Sequence, residues 1–172
     1  MKKGRVVIFT GNGKGKTTAA IGMSIRAAGA GMKVFLGQFI KKGDYSEIKA
    51  LRRFSDLVTV EQFGLGRFTG KTPGPDDIRM ARNGLKKVGQ IIASRMYDMV
   101  ILDEANVAAN YGLFEVQELL DLIIHKPDAV EIVITGRYAS KQILETADCA
   151  TEFKAGKHYF KTGARARFGI DK

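Results

Sequence analysis

Arg5-Val-Val-Ile-Phe9 runs directly into Thr10-Gly-Asn-Gly-Lys-Gly-Lys-Thr-Thr18. An apolar run, a glycine- and lysine-rich turn, and then a helical pattern from Thr17 to about Ala28 form the setting of a phosphate-binding loop. Glycines let the backbone fold into a cup whose N–H groups point at phosphate oxygens. The pattern G-x-x-x-x-G-K-[ST] ends on Gly15, Lys16 and Thr17, with Thr10 where a first glycine is usual and Gly11 one residue later. Lys16 supplies a point charge for terminal phosphates and Thr17 a hydroxyl for Mg²⁺. The following helix offers the positive end of its dipole to the same anion.

Outward from this loop, strand-like and helix-like segments alternate. Strands are predicted at Val6–Thr10, Lys33–Phe39, Leu57–Phe63, Asp98–Leu102, Val130–Thr135 and Cys149–Phe153. Helical patterns fall at Thr17–Ala28, Tyr45–Phe54, Asp76–Arg95, Glu115–His125 and Ser140–Thr146. Strands this apolar on both faces predict a parallel sheet covered by helices on each side. The fold class is therefore α/β, a doubly wound, mainly parallel sheet of the P-loop NTPase (RecA-like) type. A chain of 172 residues without an internal repeat suits one domain, 1–172.

Ligands of such sheets sit beyond the carboxyl ends of the strands. That rule brings Thr10–Thr18, Gln38–Lys42, Asp103-Glu104 and Gly136-Arg137 to one edge. Met99-Val-Ile-Leu102 ends in Asp103-Glu104, the position from which a P-loop protein holds Mg²⁺, directly or through water. Two adjacent residues at a strand end point in opposite directions, so one carboxylate faces the metal, and the pattern leaves open which. Val133-Ile-Thr-Gly136 ends in Arg137, whose guanidinium either reaches a phosphate bidentately or lies on the surface. The segment Phe63–Pro75 holds four glycines and two prolines, a long irregular loop of the kind that serves function.

The net charge of +10 favours anionic partners, but the cations are dispersed and no RNA-binding aromatic motif accompanies them. Solvated faces and phosphate ligands account for them better than a nucleic-acid groove does. No apolar run approaches the roughly 20 residues of a bilayer span. With no secretory leader read ahead of the first strand, the expected location is cytoplasmic. Cys149 is the only cysteine and is expected to be a buried structural thiol. His125 is expected to cap the last carbonyls of its helix.

Taken in order, Thr10–Thr18, Gln38-Phe-Ile-Lys41, Leu102-Asp-Glu-Ala-Asn106 with Tyr111-Gly112, Ile134-Thr-Gly-Arg137, Lys157-His-Tyr-Phe160 and Gly163–Ile170 resemble the P-loop type of ATP:cob(I)alamin adenosyltransferase, the corrinoid adenosyltransferases of vitamin B12 metabolism. The likeness spans nearly the whole chain, and Thr10 at the first loop position looks like that family's own variant. It implies transfer of the 5′-deoxyadenosyl group of ATP to the Co(I) of a reduced corrinoid, with release of triphosphate. Co(I) is nucleophile enough to attack C5′ without a general base, which agrees with a sequence showing no catalytic His or Cys arrangement. The resemblance implies that Thr10, Gly11, Asn12, Gly13, Lys14, Gly15, Lys16, Thr17 and Thr18 bind the triphosphate, with Lys41 and Arg137 as further nucleotide contacts. It assigns Mg²⁺ (or Mn²⁺) to Thr17 and Glu104, with Asp103 as a further candidate. Aromatic residues of a loop are implied to displace the lower axial ligand of the corrinoid. The matching loop is Phe63–Gly70, where Phe68 and then Phe63 are the candidates in a chain without tryptophan. A flavoprotein is the implied reductant, and monomer and homodimer are both left open. The alternative reading is a P-loop NTPase coupled to nucleic acid, which would release ADP and phosphate instead. A nucleotide-binding regulatory module would release neither.

Overall fold

The computed structural model describes residues 3–66, 72–157 and 167–170. Six parallel strands form one sheet in the order β3-β2-β4-β5-β1-β6. They are β1 (Val6–Thr10), β2 (Val34–Gln38), β3 (Val58–Gln62), β4 (Met99–Asp103), β5 (Glu131–Thr135) and β6 (Cys149–Glu152). The helices are α1 (Lys16–Gly29), α2 (Ser46–Leu51), α3 (Pro75–Ser94), α4 (Ala105–Asn110), α5 (Val116–Ile124) and α6 (Lys141–Glu145). This is the α/β architecture that the alternating pattern predicts. Each predicted strand and helix appears with its ends within a few residues of expectation, Tyr45–Phe54 dividing into α2 and a 3-10 turn at Arg52–Phe54. The pattern does not reveal α4, because six residues reading Ala-Asn-Val-Ala-Ala-Asn carry no amphipathic period.

The central strands are buried on both faces, as continuous Val, Ile, Leu and Phe runs require. On one face Ile8, Phe35, Val100 and Ile132 pack with Leu85, Val88 and Ile92 of α3 and Leu119 and Ile123 of α5. On the other, Val7, Phe9, Leu36, Ile101 and Val133 pack with Ala20, Ala27 and Ala28 of α1. Ala81, Leu85, Val88 and Ile92 recur at the spacing that gives α3 one buried stripe. Pro75 opens that helix at its first position, and Asp77 Oδ2 accepts the Gly74 N–H at 3.0 Å. At the end of α5, His125 Nδ1 lies 2.8 Å from the Asp121 carbonyl oxygen, the capping role expected of it.

Cys149 departs from expectation. It opens β6, an edge strand whose four residues are all exposed, so the thiol is exposed rather than buried. The pattern Cys-Ala-Thr identifies a strand, but it cannot distinguish an edge from a centre.

Asp148 fixes the start of this edge. It accepts the Val6 N–H at 2.9 Å and the Arg5 guanidinium at 2.9 Å. The Val6 N–H, followed by Arg5, holds its carboxyl below the ordinary range. A depressed carboxylate contributes stability above its unfolded-state value and loses it as pH falls through the folded-state value. Asp148→Asn should therefore lower the melting temperature at neutral pH, with variant and wild type converging in acid. Melting curves across pH check this, and a constant difference down to acid would reject it.

Among the described residues, no helix is long and apolar enough to cross a membrane.

Candidate nucleotide and metal site

Each of the six strands ends, at its carboxyl end, on a polar residue: Thr10, Gln62, Gln38, Asp103, Thr135 and Glu152. Strand register sets Gln62 beside Gln38 and Gln38 beside Asp103. The apolar strand interiors thus give way to one polar row at the edge where the loop after β1 turns into α1.

The loop itself is shaped by what crosses it. Phe153, just past β6, donates its N–H to the Thr10 carbonyl at 2.8 Å and accepts the Gly13 N–H at 2.6 Å. A Cβ on Gly11 would lie 2.5 Å from the Phe153 carbonyl oxygen, and one on Gly13 would lie 2.7 Å from it. Gly11 and Gly15 also have φ of 93° and 113°, the region that glycine tolerates best. Side chains are therefore excluded here by contact and by backbone conformation, and Gly15 delivers the chain into α1 as its N-cap. Lys16 is folded into the cup, with Nζ 2.8 Å from the Gly11 carbonyl and 2.7 Å from that of Gly13. Burial lowers its pKa and Arg137 adds to the effect, while Glu104 and Asp103 oppose it.

Asp103 is the centre of the site and is fully buried. Its Oδ1 accepts the hydroxyls of Thr17 at 2.8 Å and Thr135 at 2.7 Å. Its Oδ2 accepts Gln38 Nε2 at 3.0 Å and faces Lys41 Nζ at 3.4 Å. Gln38 is itself held by Gln62 Nε2, 2.9 Å from its Oε1. A buried carboxylate is tolerable only with such partners. Burial disfavours charge on Lys41, but Asp103, Glu47 and Glu104 outweigh it and raise its pKa.

Glu104 turns away from the strand line in a left-handed conformation, with φ of 60°. Its N–H donates to Thr135 Oγ1 at 3.0 Å. Burial and then the neighbouring Asp103 raise its pKa, against the pull of Lys41, Lys16 and Arg137. A non-glycine residue in this region is worth about 1–3 kcal/mol of strain, and such residues gather at functional sites.

Lys16, Thr17, Lys41, Asp103 and Glu104 therefore meet in one cluster. Arg137 stands exposed at its rim, its guanidinium 6.0 Å from the Tyr138 ring centre. Asn12 and Lys14 are exposed along the loop, and Thr18 is exposed on the first turn of α1. Lys14 Nζ donates to the Ile170 carbonyl at 3.3 Å, bringing the C-terminal turn to the loop. Thr10 Oγ1 accepts the Ala139 N–H at 3.4 Å.

Phe63 is a core residue. Its ring packs on Phe39 with centroids 5.5 Å apart, and a Cβ on Gly84 would lie 2.3 Å from its Cγ. Anchoring of the loop accounts for this aromatic. Phe68 lies outside the described residues. Gln62, Thr135 and Glu47 also border this site, although no motif in the sequence marks them. The signal for the first two was their place as terminal polar residues of otherwise apolar strands; Glu47 carried none.

The donor set suits Mg²⁺. Thr17 Oγ1 and the Asp103 carboxylate are hard oxygen donors in hydrogen-bond contact. The Lys41 ammonium beside both shows that the position favours a cation. Among the described residues no cluster of three His, Cys, Asp or Glu side chains forms a protein-only metal cage. Mg²⁺ commonly completes its shell with phosphates and water.

A parallel sheet, a glycine-rich loop entering α1 and a strand-end carboxylate on the loop threonine define a P-loop nucleotide-binding protein. The chain belongs to the ATP:corrinoid adenosyltransferase BtuR/CobO/CobP family, whose model matches residues 2–171. It is 38% identical to the corrinoid adenosyltransferase of Pseudomonas aeruginosa, covering 99% of this chain and 84% of that one. It is 35% identical to the corrinoid adenosyltransferase of Escherichia coli K12, over 99% and 86%. The sheet and helices also superpose on flagellar accessory protein FlaH from Methanocaldococcus jannaschii with a TM-score of 0.59. That likeness covers 88% of this chain and 72% of FlaH at 13% identity, and it shows a shared fold alone.

Proposed function

We propose that the chain transfers the 5′-deoxyadenosyl group of ATP to the Co(I) of a reduced corrinoid, as one domain spanning the whole sequence. The observation that carries this is a family match along nearly the whole chain, with a P-loop and its carboxylate partner assembled at one sheet edge. The cobalt lone pair forms the bond to C5′, the C5′–O bond breaks, and its electron pair leaves on triphosphate. Cobalt is formally oxidised from I to III, so no separate oxidant is required.

The protein's work is then positioning and stabilisation of the leaving group. The backbone of Gly11–Gly15 cradles the triphosphate, and Lys16 turns from the loop carbonyls to its oxygens. Thr17 and Asp103 would hold Mg²⁺ together with Glu104, and Lys41 and Arg137 would neutralise the outer phosphates. Held there, Mg²⁺ would supply positive charge for the departing triphosphate.

At the corrinoid side Phe68 displaces the lower axial ligand, which makes Co(II) easier to reduce. Phe68→Ala should impair reaction with Co(II) plus reductant more than reaction with preformed Co(I). Equal losses in the two assays would reject the displacement role. The electron comes from a flavoprotein, for which the charge of +10 offers a docking field. The cytoplasm supplies both ATP and such a donor.

Phosphorus NMR of the reaction mixture tests the bond that breaks. Triphosphate is the predicted product; ADP with inorganic phosphate would instead favour an NTPase.

A further inference from the structure

Lys41 is held in a way that contact with a nucleotide does not explain. Its ammonium lies 3.4 Å from Asp103 Oδ2 and 3.5 Å from Thr17 Oγ1, the two side chains assigned above to the metal. Outside them it faces Glu47 Oε1 of α2 at 3.7 Å and the Tyr45 ring at 5.7 Å from its centre. The loop carrying it is pinned to the polar row, for the Gly43 N–H donates to Gln62 Oε1 at 3.0 Å and Gln62 Nε2 to the Gly43 carbonyl at 3.1 Å. A fixed backbone thus carries a long flexible stem with one carboxylate at the metal position and a second further out.

We propose that Lys41 is a tethered counter-cation that holds the metal's place, so that a divalent ion enters the Thr17–Asp103 pair only together with the nucleotide. The inference rests on the reading of that pair as the metal site. A buried carboxylate is costly without a positive partner, and Lys41 provides one beside Asp103. An ammonium and a divalent cation a few ångströms apart repel strongly in a partly buried site. Metal alone must displace Lys41 from Asp103 with Glu47 left to hold it. Metal arriving with ATP brings phosphate oxygens that receive the displaced ammonium, while Glu47 keeps it near. Lys41 is in this sense a positioning residue that couples the two ligands, and the coupling is reciprocal.

Mn²⁺ titrations of the full chain, followed by electron paramagnetic resonance with and without ATP, test this. The wild type should bind Mn²⁺ weakly alone and tightly with ATP. Lys41→Met should bind Mn²⁺ alone about tenfold or more tighter than the wild type. Lys41→Gln, which keeps a hydrogen-bond donor for Asp103, should show the same gain, and Lys41→Arg should stay near the wild type. Thermal melting establishes that each variant is folded. Equal Mn²⁺ affinity without ATP in the wild type, Lys41→Met and Lys41→Gln would overturn the proposal, even where Asp103→Asn weakens binding of Mn²⁺ with ATP. If Asp103→Asn and Thr17→Ala both leave binding of Mn²⁺ with ATP unchanged, the metal reading itself fails, and the proposal with it.

Discussion

Lys16→Ala should lower kcat/KM for ATP by about 10²–10³, the usual cost of removing one preorganised donor from a site of developing negative charge. The loss should appear in ATP binding as well as in turnover, because the ammonium meets phosphate in the ground state too. The structure separates this effect from misfolding. Among the described residues, Lys16 Nζ bonds to the carbonyls of Gly11 and Gly13, both within its own loop, and burial works against its charge. Two such bonds, offset by that burial, leave a stability change of about 1 kcal/mol or less. Lys16→Arg should not restore activity, since a planar guanidinium does not fit a cup closed by the Phe153 backbone. Isothermal titration with ATP checks the prediction, and unchanged affinity in Lys16→Ala would remove the loop from the site.

The second large effect is at Asp103. In Asp103→Asn an amide nitrogen in the place of Oδ2 would face two donors, Gln38 Nε2 and Lys41 Nζ. In the place of Oδ1 it would meet the Thr17 and Thr135 hydroxyls, and Thr135 Oγ1 already accepts the Glu104 N–H. The second orientation is the better one, but it still removes the negative charge opposite Lys41. We expect a loss of about 2–3 kcal/mol in stability, smaller than for an isolated buried pair because Glu47 remains beside Lys41. The Mg²⁺ concentration needed for half-maximal activity should rise about 10–100-fold. Denaturant unfolding and Mg²⁺ titration read the two effects separately. If Asp103→Asn and Glu104→Gln both leave the Mg²⁺ dependence intact, neither carboxylate serves the metal.

Much of this site could be read from the chain because its determinants are local. A loop that turns from strand to helix around a phosphate needs glycines at fixed offsets, and Gly11, Gly13 and Gly15 declare it. The sheet was legible because apolar five-residue runs alternate with helical periods. Asp103 and Glu104 could be placed at the site but not told apart. Their different surroundings depend on the left-handed turn at Glu104 and on partners from other strands, Gln38 and Thr135, which spacing does not show. The same limit applies to Cys149, whose exposure follows from strand order, and to Phe63, whose partner Gly84 is distant in sequence. Glu47 had no signal at all, because a glutamate in the first turn of a short helix is ordinary. Interactions between elements, rather than within them, are what the sequence withheld.

Anaerobic mixing of the protein with MgATP and chemically reduced cob(I)alamin, with the corrinoid spectrum followed in time, distinguishes adenosyl transfer from ATP hydrolysis. The Co(I) band should disappear while a light-sensitive alkylcobalamin spectrum grows in step with triphosphate. A Co(I) band that persists while ADP and phosphate accumulate would contradict adenosyl transfer.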